Sequence, residues 1–523
     1  MPEHLRALVV ILCAAVLVFL LAEKPMVGTT TTQADYRRRR NTWFAVTLIG
    51  FLAHDFWLYA VLCMVLVAVQ GHRDSNPLAL YFLLLFAIPP FSVDVPGFGL
   101  VNYFVSLNHV RLLNLAILLP LAIASIGSRS TGQRGTYPMA DVLVLLYLGY
   151  LFLSHAVVAN LTSMMRGFFD AAVDVWLPYF VASRCMRNLR AWRDVFGAFV
   201  LAVAVMAVMA PFEAVKGWLL YDGVRAALGV PSNSSIGVYL IRGDDGLLRA
   251  NGPVSNSIVL GYVMMVALLL FTYIGPLVRP RGYAVLAAST LVAGLIAALS
   301  RGPWVGAAAG LLVALSFGAG AGKRIGWLIG GTLMAVLALV MMPGGATIVD
   351  HLPFIGSVDE GSVTYRQRLF EVSMGVFWQN PVFGSLYYIL NPAMEEMRQG
   401  QGIIDMVNSY LAVALPYGVV GLSLFLGPFV YSLWACWRAR AIHARANVEI
   451  DRLGRALLGA MIAVLITIAT VSSISVVAPI YWMLAGLCVG YARMLAMGGV
   501  AATEAGPTSP TSPAVRRRIR AAA

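Results

Sequence analysis

The sequence predicts an all-α, polytopic membrane protein: a transmembrane helical bundle of about 13 to 15 spans with a long, partly helical outward loop. Three observations carry this reading. Hydrophobic residues make up 60% and charged residues only 12% of the 523 positions. Apolar runs close to the roughly 20 residues that span a bilayer recur along nearly the whole chain. Backbone in lipid must satisfy its own hydrogen bonds, so such runs are helices.

The runs fall, in order, at 7–22, 42–70, 78–91, 110–127, 139–156, 171–183, 195–212, 254–275, 281–299, 303–319, 325–342, 408–435, 455–473 and 474–494. The net charge of +13 comes from Lys and Arg scattered between them, at 36–40, 72–73, 129–134, 184–193, 279–281, 323–324, 438–452 and 516–520. One basic patch would point to nucleic acid; scattered basic loops point to the positive-inside rule, and no nucleic-acid partner is expected. If all these loops are cytoplasmic, an even number of crossings separates each neighbouring two. Only 42–70 resists. As one straight helix it would be about 42 Å long, against a hydrocarbon core of roughly 30 Å. His54-Asp55 interrupts it, so two short helices are expected with that pair at the tip; one tilted helix is the alternative. The hairpin gives 15 spans, an outward N-terminus and an inward C-terminus.

The expected organisation is therefore N-terminal helices over 1–194, central helices over 195–342 with an outer loop at 213–252, a large outer loop at 343–407, C-terminal helices over 408–497, and a basic, low-complexity cytoplasmic tail over 498–523. The large loop holds seven carboxylates and three arginines but no lysine. Its aromatic content argues against disorder, and long loops in compact proteins are usually functional. The five cysteines lie in or beside apolar runs. That distribution fits neither a disulfide framework nor a Cys/His metal site.

Several polar residues stand out against this apolar background. "SRGPW" (Ser300–Trp304) places Arg301 at an outward turn, where the positive-inside bias does not call for it. It reads as an anion-binding residue or as an arginine reaching lipid phosphates, with Gly302 and Pro303 making the turn. "LLRANGPVSNS" (Leu247–Ser257) places Arg249 before an outward-starting helix that Asn251, Ser255 or Asn256 could cap. Such a helix start favours an anion; pairing of the arginine with Asp244 or Asp245 is the alternative. In "TYRQRLFEVSMGVFWQNPVFG" (Thr364–Gly384), Arg366 and Arg368 open an amphipathic helix. Cations there oppose the helix dipole, which calls either for a bound anion or for an ion pair with Glu371. Glu213, at the outer end of a span, is a candidate base, an arginine partner or an interfacial carboxylate. In "DMVNSYLAVALPYGVVGL" (405–422), Asn408 is followed after nine residues by Gly418 and then by Gly421.

Taken together, Arg249, "SRG" at 300–302, Arg366 ahead of "NPVFG", and the 408–421 spacing resemble the O-antigen ligase and Wzy-type polysaccharide polymerase superfamily. The resemblance covers residues 195–440. It implies inverting glycosyl transfer at the periplasmic face of the bacterial inner membrane. The donor it implies is an undecaprenyl-diphosphate-linked glycan; the acceptor is a sugar hydroxyl. It implies no metal or other cofactor. Other polysaccharide-assembly proteins are possible partners besides membrane lipid. Arg249, Arg301, Arg366 and Arg368 become candidate diphosphate ligands. Asn408, Gly418, Gly421, Ser300 and Gly302 become structural motif residues, with Asn408 capping a helix and the two glycines admitting a close neighbour. The family's base is a histidine just before the asparagine, and here that residue is Val407. The chain then needs another base, with Asp405, Glu213 and Glu371 as candidates, or a reaction led by diphosphate departure. The histidine is associated with ligases, so its replacement favours a polymerase of lipid-linked repeat units over a ligase. A lipid-linked glycan transporter is the rival class; it would place charges near the bilayer midplane, whereas the charges here concentrate at the outer surface.

Overall fold

The computed structural model describes residues 2–99, 101–127, 137–158, 161–230, 241–242, 247–317, 320–341, 360–398, 402–445 and 447–497. In chain order its helices are α1 (Glu3–Met26), α2 (Gln33–Leu52), α3 (Phe56–Arg73), α4 (Pro77–Leu84), α5 (His109–Gly127), α6 (Pro138–Val158), α7 (Leu161–Ala171), α8 (Leu177–Cys185), α9 (Leu189–Lys216), α10 (Asp222–Ala227), α11 (Ser257–Ile274), α12 (Arg281–Ala297), α13 (Arg301–Ser316), α14 (Ala321–Met341), α15 (Glu360–Phe377), α16 (Pro392–Glu395), α17 (Ser409–His443), α18 (Val448–Thr467) and α19 (Val477–Ala496). Two short antiparallel hairpins pair β1 (Val93–Pro96) with β2 (Tyr103–Leu107), and β3 (Ile241–Arg242) with β4 (Leu247–Leu248). The protein is an all-α, polytopic, multi-pass membrane protein.

Eight of the helices among the described residues are long and apolar enough to cross a membrane. The expected number is larger because it also counts shorter or more charged runs. Helix α13 has 16 residues, α12 has 17 and α4 has 8, and α18 opens with Glu449, Asp451, Arg452 and Arg455. The break in 42–70 is real. His54 takes a φ of 56°, uncommon for a residue with a Cβ. Asp55 then caps α3, its carboxylate accepting from the Leu58 amide at 2.8 Å.

The basic segments gather through ion pairs. Buried Arg39 of α2 pairs with Asp74 at 2.6 Å and with Asp194 of α9 at 2.5 Å. Next to Asp194, Arg193 pairs with Glu449 of α18 at 2.5 Å. Asp451, one half-turn on, takes Arg440 at 2.6 Å and Arg455 at 2.8 Å. One guanidinium between two carboxylates satisfies its fork of donors, so this end of the bundle tolerates buried charge.

The opposite end carries the α2–α3 tip, the start of α1 and the end of α9. Trp218 donates to Glu3 at 2.9 Å, and the His4 and His54 rings lie 5.7 Å apart. The positive-inside bias predicts that this end faces outward. Cysteines substituted for Ser234 and Ser357, in the two long loops and outside the described residues, should therefore react with an impermeant maleimide on intact cells. Reaction only after the inner face is opened would invert the topology.

Candidate functional site

The candidate site grows from the end of α9. Glu213 is fully buried, and its carboxylate accepts three backbone amides: Leu220 at 3.0 Å, Asn251 at 2.9 Å and Gly252 at 2.9 Å. That clamp fixes the segment carrying buried Arg249. The same segment reaches across to the end of α12, where the Ala250 amide donates to the Ala297 carbonyl at 3.2 Å. Asn256, among the three proposed caps, is the one that caps α11, accepting from Ile258 at 2.8 Å and Val259 at 3.3 Å. Glu213 thus works as a positioning carboxylate, with three of its lone-pair sites filled by backbone amides. Glu213→Gln puts an amide NH₂ against backbone donors, and we expect it to cost about 2–4 kcal/mol. A lowered thermal midpoint and abundance would register this. An intact midpoint with selective loss of activity would restore the acid–base role.

Four residues after Ala297, Arg301 opens α13. The reversal is made by Leu299, at a φ of 44°, with buried Ser300 at the cap position. Gly302 was expected to make this turn; it is instead helical. A Cβ on it would strike the Thr470 hydroxyl, and one on Gly306 would strike the Thr467 hydroxyl. One on Gly310 would sit 2.7 Å from the Gly459 carbonyl. Gly302, Gly306 and Gly310 recur every four residues, the small-residue stripe that lets apolar helices approach closely in lipid. It seats α13 against α18.

That packing leads to the α18–α19 link, residues 468–476. Ser472 donates from its hydroxyl toward Asp405 Oδ1 at 3.1 Å. The Ser409 amide donates to Ile468 O at 2.9 Å and its hydroxyl to Val471 O at 2.6 Å. Ser473 reaches Ser409 at 2.8 Å, and Tyr481 reaches Ser473 at 3.2 Å. The link therefore ties the start of α17, the Asp405 carboxylate and the start of α13 together. Its signal in the sequence is a run of hydroxyls, Thr467, Thr470, Ser472, Ser473 and Ser475, between two apolar stretches. Reading 455–494 as two plain spans passed over it.

Helix α15 joins from the other side. The Tyr365 hydroxyl donates to the Asp405 carbonyl at 3.2 Å, and half-buried Arg366 follows it on the same helix. Leu369, Val376, Met394 and Met397 bury a small apolar core of their own, with Val407 partly buried against it. Val407, where the resemblance implies a histidine, is thus a packing residue. Arg368 and Glu371 stand elsewhere. Both are exposed, and Arg368 pairs with Glu371 at 3.5 Å and Glu396 at 3.0 Å. The ion-pair alternative describes these two. Arg398 pairs with Glu395 at 2.6 Å and holds that carboxyl below the usual range.

The 408–421 spacing has a physical account. Asn408 caps α17, accepting from Tyr410 at 2.9 Å and Leu411 at 3.3 Å. Ten residues on, Gly418 breaks the helix at φ 64° and ψ −166°, a region essentially closed to other residues. The freed backbone groups are met by "NPVFGS" (Asn380–Ser385). Val419 donates to Pro381 O at 2.8 Å, Val420 to Val382 O at 3.2 Å, and Ser385 to Leu415 O at 2.9 Å. Irregular backbone at membrane depth requires such protein partners. The expected neighbour of Gly418 was a helix; it is this inserted loop. Gly421 makes room for the Tyr150 ring, 3.1 Å from where its Cβ would lie.

The geometry joins the segments that carry Arg249 and Arg301, and it sets Ser472 against the Asp405 carboxylate. Residues 283–426 match the model of the family described as O-antigen ligase. Arg301, Arg366, Asp405, Asn408, Gly418 and Gly421 lie inside the match; Glu213 and Arg249 lie before it. No curated protein matches the chain.

Proposed function

With residues 283–426 O-antigen ligase-like, we propose that the chain is a glycosyltransferase that moves a glycan from undecaprenyl diphosphate to a sugar hydroxyl at the periplasmic face of the bacterial inner membrane. The acceptor oxygen attacks the anomeric carbon. The bond from that carbon to the diphosphate oxygen breaks, and its electron pair leaves with the diphosphate. Arg249 and Arg301, with Arg366 as a weaker third, hold the charge that develops there; fixed donors aimed at developing charge are a large catalytic term. Asp405, oriented by Ser472, takes the acceptor's proton. Glu213 and the α18–α19 link are positioning groups. The observation that carries this reading is the joining of the two arginine segments through the Glu213 clamp and the Ala250–Ala297 hydrogen bond.

We favour polymerisation of lipid-linked repeat units, because Val407 replaces the histidine associated with ligases. The ligase reading has its own support in the description of the matched family. Deleting the gene and analysing the glycans separates them. Single repeat units left on the lipid indicate a polymerase, and unattached long polymer a ligase. Glycan trapped at the inner face would contradict both and indicate a transporter. Asp405→Asn should lower transfer at least about tenfold, a floor beneath the usual general-base effect, at normal protein abundance. Unchanged polymer length and yield would leave the reaction led by diphosphate departure alone.

A further inference from the structure

A polar cavity lies between the end of α15, the segment that follows it to Asn391, and Leu415 of α17. It measures about 290 Å³, at the small end of small-molecule sites. Its polar lining is Gln379, Asn380, Ser385, Tyr387, Tyr388 and Asn391, and the rest is aliphatic. Among the described residues, no side chain in the lining carries a charge. The backbone that shapes the cavity is held at several points. The Asn380 amide donates to the Phe377 carbonyl at 3.1 Å, Gly384 to Asn380 O at 3.0 Å, Ser385 to Leu415 O at 2.9 Å and Tyr388 to Ser385 O at 3.0 Å. The cavity is thus largely formed before anything enters it.

Its polar groups divide into those the fold uses and those it leaves open. Asn391 is used twice: its Nδ2 donates to Gln379 Oε1 at 2.8 Å, and its Oδ1 accepts from the Ala393 amide at 3.1 Å as the cap of α16. Gln379, an acceptor in that contact, keeps its NH₂ protons for another partner. Ser385 Oγ accepts from the Tyr387 amide at 3.3 Å and keeps its own proton to donate. Among the described residues, the Asn380 carboxamide and the Tyr387 and Tyr388 hydroxyls bond to no protein group. Asn380 and Tyr387 are exposed, and Tyr388 is half-buried. Burial pushes the Tyr388 phenol up, so it keeps its proton at neutral pH. The polarity of the cavity therefore depends on no ionised group.

We propose that this cavity is a sugar subsite, which takes one uncharged pyranose ring of the glycan. A sugar hydroxyl both donates and accepts, and so does a carboxamide. A pyranose also has a C–H face, which the apolar body of a tyrosine ring can meet while its hydroxyl stays at the polar edge. The subsite reads the sugar, which donor and acceptor both carry, and leaves the diphosphate to the arginine segments. Its position suits this. Leu415 stands seven residues after Asn408, about 10 Å along α17 at helical rise. Val376 and Leu415, both in the lining, belong to the small core against which Val407 packs. A ring held here keeps the next units of its glycan within reach of Asp405. The assignment rests on the glycosyl-transfer reading, and its test is independent of turnover.

The test uses the full-length chain in phosphatidylcholine nanodiscs and photoreactive probes that carry no lipid chain. The probes are methyl glycosides of glucose, galactose, mannose and N-acetylglucosamine, and a glycerol bearing the same reactive group. Glycerol offers hydroxyls without a ring face. Mass spectrometry maps the labelled peptides. At least one glycoside should label residues 376–391 at least about fivefold more than glycerol does, a difference of about 1 kcal/mol by affinity arithmetic. Asn380→Ala removes an open carboxamide, and Tyr387→Ala removes an exposed ring. Either should cut that labelling about fivefold while the thermal midpoint holds, so one serves if the other misfolds. Labelling by every glycoside no stronger than by glycerol, or selective labelling that neither variant lowers, would overturn the proposal. Selective, variant-sensitive labelling in a chain that transfers no glycan would keep this site and remove the glycosyl-transfer reading. Transfer without selective labelling would do the reverse.

Discussion

Arg301→Lys should lower glycan transfer by about a hundredfold, the usual effect of losing a donor aimed at developing charge. Lysine keeps the charge but not the planar fork. A guanidinium can give two parallel hydrogen bonds to a diphosphate, and an ammonium cannot. Arg301 stands in the first turn of α13, on a backbone that Gly302 presses against Thr470. Its Cα therefore has little room to follow a shorter reach. Arg249→Lys should behave alike, because Glu213 pins its segment. Transfer rates on a lipid-linked glycan, normalised to folded protein, check both. Near wild-type rates in both lysine variants would mean that charge alone suffices and that no bidentate contact is made.

Gly418→Ala should cost about 3 kcal/mol or more, and should act through the fold. Two mechanisms add. A residue with a Cβ in that backbone region costs roughly 1–3 kcal/mol, and overpacking a close contact costs a further 1–3 kcal/mol. The contact here is rigid: the added Cβ would strike the Val382 carbonyl, in the loop that satisfies the broken helix. Gly384 faces the same joint from the loop side, at φ 70°, with its Cβ position 2.5 Å from the Gly418 nitrogen. Gly384→Ala should therefore match Gly418→Ala. A thermal-unfolding series of the purified variants would show it. Wild-type midpoints in both would mean that the loop and the helix break are not coupled.

Which parts of this were legible beforehand follows from physical range. The bundle was legible because lipid forces apolar runs into helices, and the His54-Asp55 tip because a polar pair interrupted such a run. Asn408 as a cap was legible from local chemistry alone. The role of Gly418 was not: its neighbour, the Val382 carbonyl, is 36 residues away in sequence, and a glycine in an apolar run reads equally as helix packing. The surroundings of Glu213 were not legible for the same reason. An isolated carboxylate at a span end looks available, and only the folded chain shows three amides filling it. The Arg368–Glu371 pair was open to two readings, since residues three apart on a helix are neighbours in any fold. Arg111 comes together with Asp170 and Asp174 only in the fold, within apolar surroundings, where both carboxylates pair with it at 2.7 Å. As a set, an arginine and two aspartates i and i+4 apart in such surroundings are a functional signal.

On the proposed function, the end of the bundle that carries Arg249 and Arg301 transfers a glycan off a polyprenyl diphosphate. The most direct measurement uses the purified full-length chain in liposomes with undecaprenyl-diphosphate-linked repeat unit, with a chelator and without nucleotide, followed by mass spectrometry of the lipid and glycan products. The account predicts free undecaprenyl diphosphate appearing together with an equal number of new glycosidic bonds, and the loss of both in Arg301→Lys. Movement of the intact lipid-linked unit across the bilayer, with no diphosphate released and no glycan lengthened or transferred, would contradict it.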